Sequence, residues 1–205
     1  MSATNAPFGL RPAFHPSGLD RAQALAGGIA SAYSSDILKG QGVKLNSSGN
    51  IVIVAAGDSM QGAFAGVEWT DTTGRARVSN YWPVNTAYTA GTVSNYWPAS
   101  TSYQTGSCVA YFYNDPQIVY EIQADGSLAQ TAIGDQADLS NVAAGSNVTG
   151  LSQCTLSSSL VGASSTATFK IVDLAPYADN AWGDAYTVVR VQLNESQFQA
   201  TVVAI

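Results

Sequence analysis

Apolar and polar residues alternate with a period of two in several short runs, as strands with one buried face do. In residues 117–123, Ile118, Tyr120 and Ile122 alternate with Val119 and Glu121, which predicts a half-buried strand. Phe169 and Ile171 against Lys170 and Asp173 predict a strand within 166–174. Residues 186–193 alternate Tyr186, Val188 and Arg190 with Val189, Val191 and Leu193 and predict another. Further strands are expected at 36–38, 42–45, 50–54, 62–70, 75–82 and 107–113. Turn residues separate them: Asn46-Ser-Ser-Gly-Asn50, Asp71-Thr-Thr-Gly74, Asn114-Asp-Pro116 and Ala124-Asp-Gly126. A short helical or irregular turn is expected in 21–32, weakened by Gly27 and Gly28, and one helical turn in 133–139. Residues 138–150 and 176–184 read as loops, and 155–166 is Ser-rich with little pattern. Many short strands with no long helix predict an all-β sandwich or barrel of antiparallel strands.

Residues 1–20 predict an extended N-terminal arm. Pro7, Pro12 and Pro16 remove backbone donors and favour extended geometry before them. Phe8, Leu10 and Phe14 punctuate the segment as apolar anchors, so it is suited to lie across another surface, a disordered tail being the alternative. Residues 21–205 then form a single β-rich domain, with a subdomain boundary near 125–150 as the alternative. The apolar C-terminal residues, among them Val202, Val203 and Ile205, suit pairing in a sheet or burial against a neighbouring subunit. The hexapeptide Val-Ser-Asn-Tyr-Trp-Pro begins at Val78 and again at Val93, a local duplication expected at a rim or loop tip.

Composition narrows the function. Only 11% of residues are charged, against about 25% in ordinary globular proteins. The surface is therefore either given over to other protein chains or coated with Ser, Thr, Asn and Gln. A net charge of −6 with eight Lys plus Arg, and no basic run beyond Arg75 and Arg77, argues against nucleic acid as a partner. No apolar stretch is long enough for a membrane span, and no secretory signal opens the chain. Cys108 and Cys154 are expected as buried free thiols rather than a disulfide.

Candidate chemistry is sparse. His15, the one histidine, lies in the Pro-rich arm near Asp20, and serines are plentiful, but surface or interface packing is the better expectation. Glu68 and Glu121 fall on predicted strands, which is the arrangement of a glycosidase pair and equally of a solvated sheet face. Asp135 with Asp138, or Asp179 with Asp184, lack the dense oxygen spacing of a calcium loop. No nucleotide-cradling glycine loop or zinc spacing occurs, so no catalytic residue, cofactor or metal is expected. Trp69, Trp82, Trp97 and Trp182, with ten tyrosines, suit core or interface anchors, with sugar-stacking platforms as the alternative.

Several stretches resemble a known family. They are Asn5-Ala-Pro-Phe-Gly-Leu-Arg-Pro12, Phe64-Ala-Gly-Val-Glu-Trp69, Thr73-Gly-Arg-Ala-Arg-Val-Ser-Asn-Tyr-Trp-Pro83, Asn114-Asp-Pro116 with Tyr120-Glu-Ile-Gln123, and Asp179-Asn-Ala-Trp-Gly-Asp184. Together they resemble capsid decoration, or cement, proteins encoded beside the major capsid gene of tailed bacteriophages. The second Asn-Tyr-Trp-Pro copy departs from that pattern. The resemblance implies a structural virion protein made in the host bacterial cytoplasm. It would bind the outside of the head, often as a homotrimer, and hold neighbouring capsomers of the major capsid protein together at threefold and quasi-threefold positions. The expected contacts are Pro7, Phe8, Leu10, Pro12 and Phe14 in the arm, Tyr81, Trp82, Tyr96 and Trp97 in the duplicated motif, and Val202, Val203 and Ile205 at the C-terminus. On this reading deleting residues 1–14 would weaken capsid binding with the β domain still folded. The alternative is a carbohydrate-binding or fibre-type virion module using the Tyr-Trp motifs.

Overall fold

The computed structural model describes residues 4–18, 28–87 and 108–199, with the backbone of Gln23–Ala26. The chain is all-β, built on two antiparallel sheets packed as a sandwich. The first sheet runs β1 (Arg11–Phe14), β8 (Val119–Gln123), β15 (Val188–Leu193), β14 (Phe169–Leu174), β9 (Gln136–Ala137). It joins strands from both sides of residues 125–150, so the boundary considered there does not divide it. The second runs β2 (Gln23–Ala26), β7 (Val109–Tyr113), β5 (Gly62–Thr70), β3 (Gly42–Leu45), β4 (Ile51–Ile53), and β6 (Ala76–Ser79) also pairs with β5. Two-residue ladders pair β10 (Leu139–Ser140) with β13 (Thr155–Leu156) and β11 (Gly145–Ser146) with β12 (Leu151–Ser152).

The long strand β5 organises the second sheet. A register shift between Phe64 and Gly66 bends it. Its first residues pair with β3 and its last with β6, while β7 runs along the other side. Gly62 is required where β5 meets β7: a Cβ there would lie 1.7 Å from the Tyr113 carbonyl oxygen. The hairpin β5–β6 closes on Asp71, whose carboxylate accepts from the Thr73 hydroxyl and the Thr73 and Arg75 amides. The core has two parts. One, under the first sheet, holds Leu10, Tyr120, Ile122, Phe169 and Val191, with Ala63 from β5 and Met60 from just before it. The other holds Ile37, Phe64, Trp69, Trp82 and Phe112.

Several expectations are corrected. Within 21–32 the backbone of Gln23–Ala26 forms a strand against β7, because edge pairing supplies the hydrogen bonds a Gly-rich helix would hold poorly. The helical turn expected in 133–139 is a 3₁₀ turn at Gln130–Ala132, followed by β9. Residues 36–38 contribute one bridge, Ile37 to Trp82, rather than a strand, and the loop 138–150 carries two short strands. The strand β8 is buried on both faces, not one. β7 and β8 adjoin in sequence yet belong to different sheets, so the Asn114–Pro116 turn carries the chain across the sandwich. Cys108 and Cys154 are free and buried, as expected.

Trp82 corrects the rim expectation for the first hexapeptide. Its backbone exchanges both hydrogen bonds with Ile37, at 2.7 and 2.9 Å. That bridge folds the strand end inward, and the indole is fully buried with its ring centroid 5.3 Å from that of Trp69, edge to face. Val78, four residues earlier, is 80% exposed. The second hexapeptide lies outside the described residues.

The arm is extended as expected, but it covers its own chain. β1 pairs antiparallel with β8 at the edge of the first sheet. Leu10 is an interior residue, 2% exposed. Its amide donates to the Gly40 carbonyl at 2.8 Å. Gly9 permits this approach: its φ is +72°, and a Cβ would meet the Gly40 oxygen at 2.8 Å. The Gln123 side chain accepts from the Ala6 amide and donates to the Thr4 carbonyl, each at 3.0 Å. The expected free arm is thus part of the domain's own packing.

Candidate binding site

The arm is locked by a carboxylate. Glu121 projects from the outer face of β8 and is nearly buried. It accepts from Arg11 at 2.6 Å and from the Tyr177 hydroxyl at 2.5 Å, and Arg190 lies 3.5 Å away. Aromatic rings close over both guanidiniums: Phe8 and Tyr177 over Arg11, Phe14 over Arg190. Two cations share one anion, so the cluster keeps a net positive charge. The sequence pattern of β8 could not reveal this, because a glutamate alternating with isoleucines reads as solvent-facing. Nearby, buried Asn180 donates to the Ala175 and Val188 carbonyls at 2.8 Å and accepts from the Val188 amide, pinning the 176–184 loop to β15.

Beside this joint lies a cleft of about 350 Å³. Phe8, Leu10, Arg11 and Pro12 form its arm side. Lys39, Phe64, Tyr113 and Leu151 face them from other parts of the chain. Three of the expected contact residues, Phe8, Leu10 and Pro12, thus come together here, while Pro7 is half-buried and Phe14 is 43% exposed. Lys39, Tyr113 and Leu151 were not singled out from sequence, and Phe64 only as the first residue of the Phe64–Trp69 stretch; they come from separate segments and carry no shared signal. Tyr81 is half-buried, and Trp82 is interior, so it offers neither a capsid anchor nor a sugar platform. Tyr96, Trp97, Val202, Val203 and Ile205 lie outside the described residues.

The remaining candidates are engaged locally. Glu68 accepts from the Tyr111 hydroxyl at 2.9 Å in the second sheet, whereas Glu121 sits in the first, each with its own partners. His15 meets Asp115, with Nε2 3.0 Å from the carboxylate, and Asp20 lies outside the described residues. Its Nδ1 faces the Ser17 hydroxyl at 2.6 Å and accepts from the Ser17 amide at 3.0 Å. The order Ser–His–Asp is that of a nucleophilic relay. However, the Ser17 amide is held by the ring and the Gly18 amide by the His15 carbonyl. Neither is free to receive a developing oxyanion, so the group secures the turn after β1. Asp138 accepts from the Thr168 amide and hydroxyl, and Asp184 from the Ala181 amide. Among the described residues no three His, Cys, Asp or Glu side chains cluster as a metal site would.

Electrostatics follow burial and hydrogen bonding. Burial pushes the Cys108 thiol up to about 11 and raises Cys154 as well. For Asp71, desolvation acts upward but is outweighed by hydrogen bonds from Thr73, the Arg75 amide and Arg77, which hold it well below the usual carboxylate range. Asp58 is lowered by Lys44, whose ammonium lies 2.6 Å away.

No family model, curated protein or solved structure matches the chain.

Proposed function

We propose that this chain is a bacteriophage capsid decoration protein, a structural protein that binds the outer face of the head and stabilises contacts between capsomers. The observation that carries the reading is where the family-like stretches lie. Asn5–Pro12 packs on Tyr120–Gln123 through Arg11 with Glu121 and through Ala6 with Gln123, which also holds the preceding Thr4. Asn180, in the 179–184 stretch, fixes the loop that carries Tyr177 to Glu121. Residues far apart in sequence thus form one joint, the behaviour of motifs that define a fold rather than a reaction.

The surface fits a protein that works by contact. Among the described residues the basic side chains of Arg11, Lys44, Arg77 and Arg190 lie in ion pairs within the chain. Val78, Val148, Leu151 and Phe198 are exposed apolar residues on a charge-poor exterior. Binding the assembled shell better than free subunits would stabilise it by mass action. The partners in this reading are the major capsid protein and further copies of the chain as a trimer. The test is co-sedimentation with heads assembled from the neighbouring capsid gene's product. Saturable binding to heads, with no binding to free capsid subunits, is expected; no binding to heads refutes the proposal.

A further inference from the structure

We infer that the cleft between the arm and Lys39 is the capsid-contacting groove, and that it takes an extended capsid segment presenting a large apolar side chain beside a carboxylate. The inference rests on the decoration reading and deepens it. Sequence placed the contact on a free arm. The structure instead has the arm fixed to its own sheet, so that it forms one wall of a preformed groove. A preformed groove binds without the cost of ordering a tail.

The chemistry of the walls defines the occupant. Phe8, Pro12 and Leu151 supply apolar surface, and Leu151 is 46% exposed. The groove is within the size range of preformed ligand sites, roughly 300–1,000 Å³. Two cations flank it in a chain of net charge −6. Arg11 is half-exposed and belongs to the cluster in which two guanidiniums share Glu121. Lys39 is exposed, and no ion pair engages its ammonium among the described residues. Among the described residues no carboxylate lines the groove. An anionic group on the partner is therefore attracted locally although the chain as a whole is acidic.

On the Lys39 side of the groove the backbone is already satisfied. The Lys39 amide donates to the Gly150 carbonyl, its carbonyl accepts from Ser152, and the Gly40 carbonyl accepts from Leu10. Recognition accordingly falls to side chains: an apolar residue enters between Phe8 and Leu151 while its acidic neighbour meets Lys39 and Arg11.

The test compares Lys39→Glu with Arg75→Glu, an exposed site away from the groove that changes net charge equally. Both are measured for head binding across a salt series beside the unaltered protein and Leu151→Asn. Lys39→Glu is expected to weaken binding at least about tenfold, the scale of reversing one charge at a contact. Arg75→Glu should leave it within about twofold, an effect too small to mark a contact. A zero-length carbodiimide crosslink should join Lys39 to an Asp or Glu of the capsid protein. If the unaltered chain binds heads but Lys39→Glu and Leu151→Asn bind equally well, the groove assignment falls and the decoration reading stands. If the unaltered chain does not bind, both fall. A crosslink from Lys39 to another copy of this chain would identify a subunit interface and overturn the assignment.

Discussion

Replacing Leu10 with alanine tests whether the arm belongs to the fold. Leu10 is 2% exposed and packs in the core part that holds Tyr120, Ile122 and Cys154. Truncating a buried leucine costs about 2–5 kcal/mol, the transfer term plus the cavity left behind. The Leu10 amide bond to Gly40 and the neighbouring β1 pairing are backbone features, so the cavity is expected to relax little. A loss of about 3 kcal/mol, divided by a urea slope of about 2 kcal/mol/M, lowers the unfolding midpoint by about 1.5 M. Phe14→Ala is the internal control. That ring is 43% exposed and meets Arg190 at 5.5 Å, a contact worth about 0.5–1 kcal/mol at an exposed site. Urea titrations followed by tryptophan fluorescence should order the midpoints as unaltered, Phe14→Ala, Leu10→Ala. Equal midpoints for Leu10→Ala and the unaltered chain would refute the packed arm and restore the picture of a free tail.

Other consequences follow from the same structure. Trp82→Ala removes a fully buried ring and its edge contact with Trp69, and should cost about 3–5 kcal/mol with collapse of the near-ultraviolet dichroism. Asp71 has a folded pKa below its unfolded value of about 4. It therefore contributes stability above about pH 4, and that contribution is lost as pH falls through the folded pKa. Asp71→Asn should consequently be less stable than the unaltered chain at neutral pH, with the gap closing in acid titrations of the thermal midpoint. Cys108 and Cys154 are buried with raised pKa values, so a thiol reagent at pH 8 should label neither in the native state and both in denaturant.

The strands were legible wherever pattern and turn chemistry agreed. The ranges read for β3 and β5 coincide with the observed strands, and β14 and β15 are shortened only at their starts. The second face of β8 was not legible. Its cover, Thr4 to Phe8 and Tyr177, comes from distant segments, and Glu121 is made tolerable there by Arg11 and Arg190 rather than by water. The arm's extended form followed from its prolines, but spaced apolar residues look alike whether they cover their own sheet or another chain. Trp82 was misplaced for a similar reason: an aromatic before proline resembles a rim until the Ile37 bridge turns it inward. The groove joins Phe8, Lys39, Tyr113 and Leu151, and only the arm residues among them carried a sequence signal.

The central claim is that this chain decorates a capsid from outside. Cryo-electron microscopy of heads before and after incubation with the purified chain tests it most directly. The account predicts added density on the outer surface at threefold and quasi-threefold positions, with the Lys39 groove against a capsomer. Heads whose outer surface is unchanged at saturating protein would contradict it.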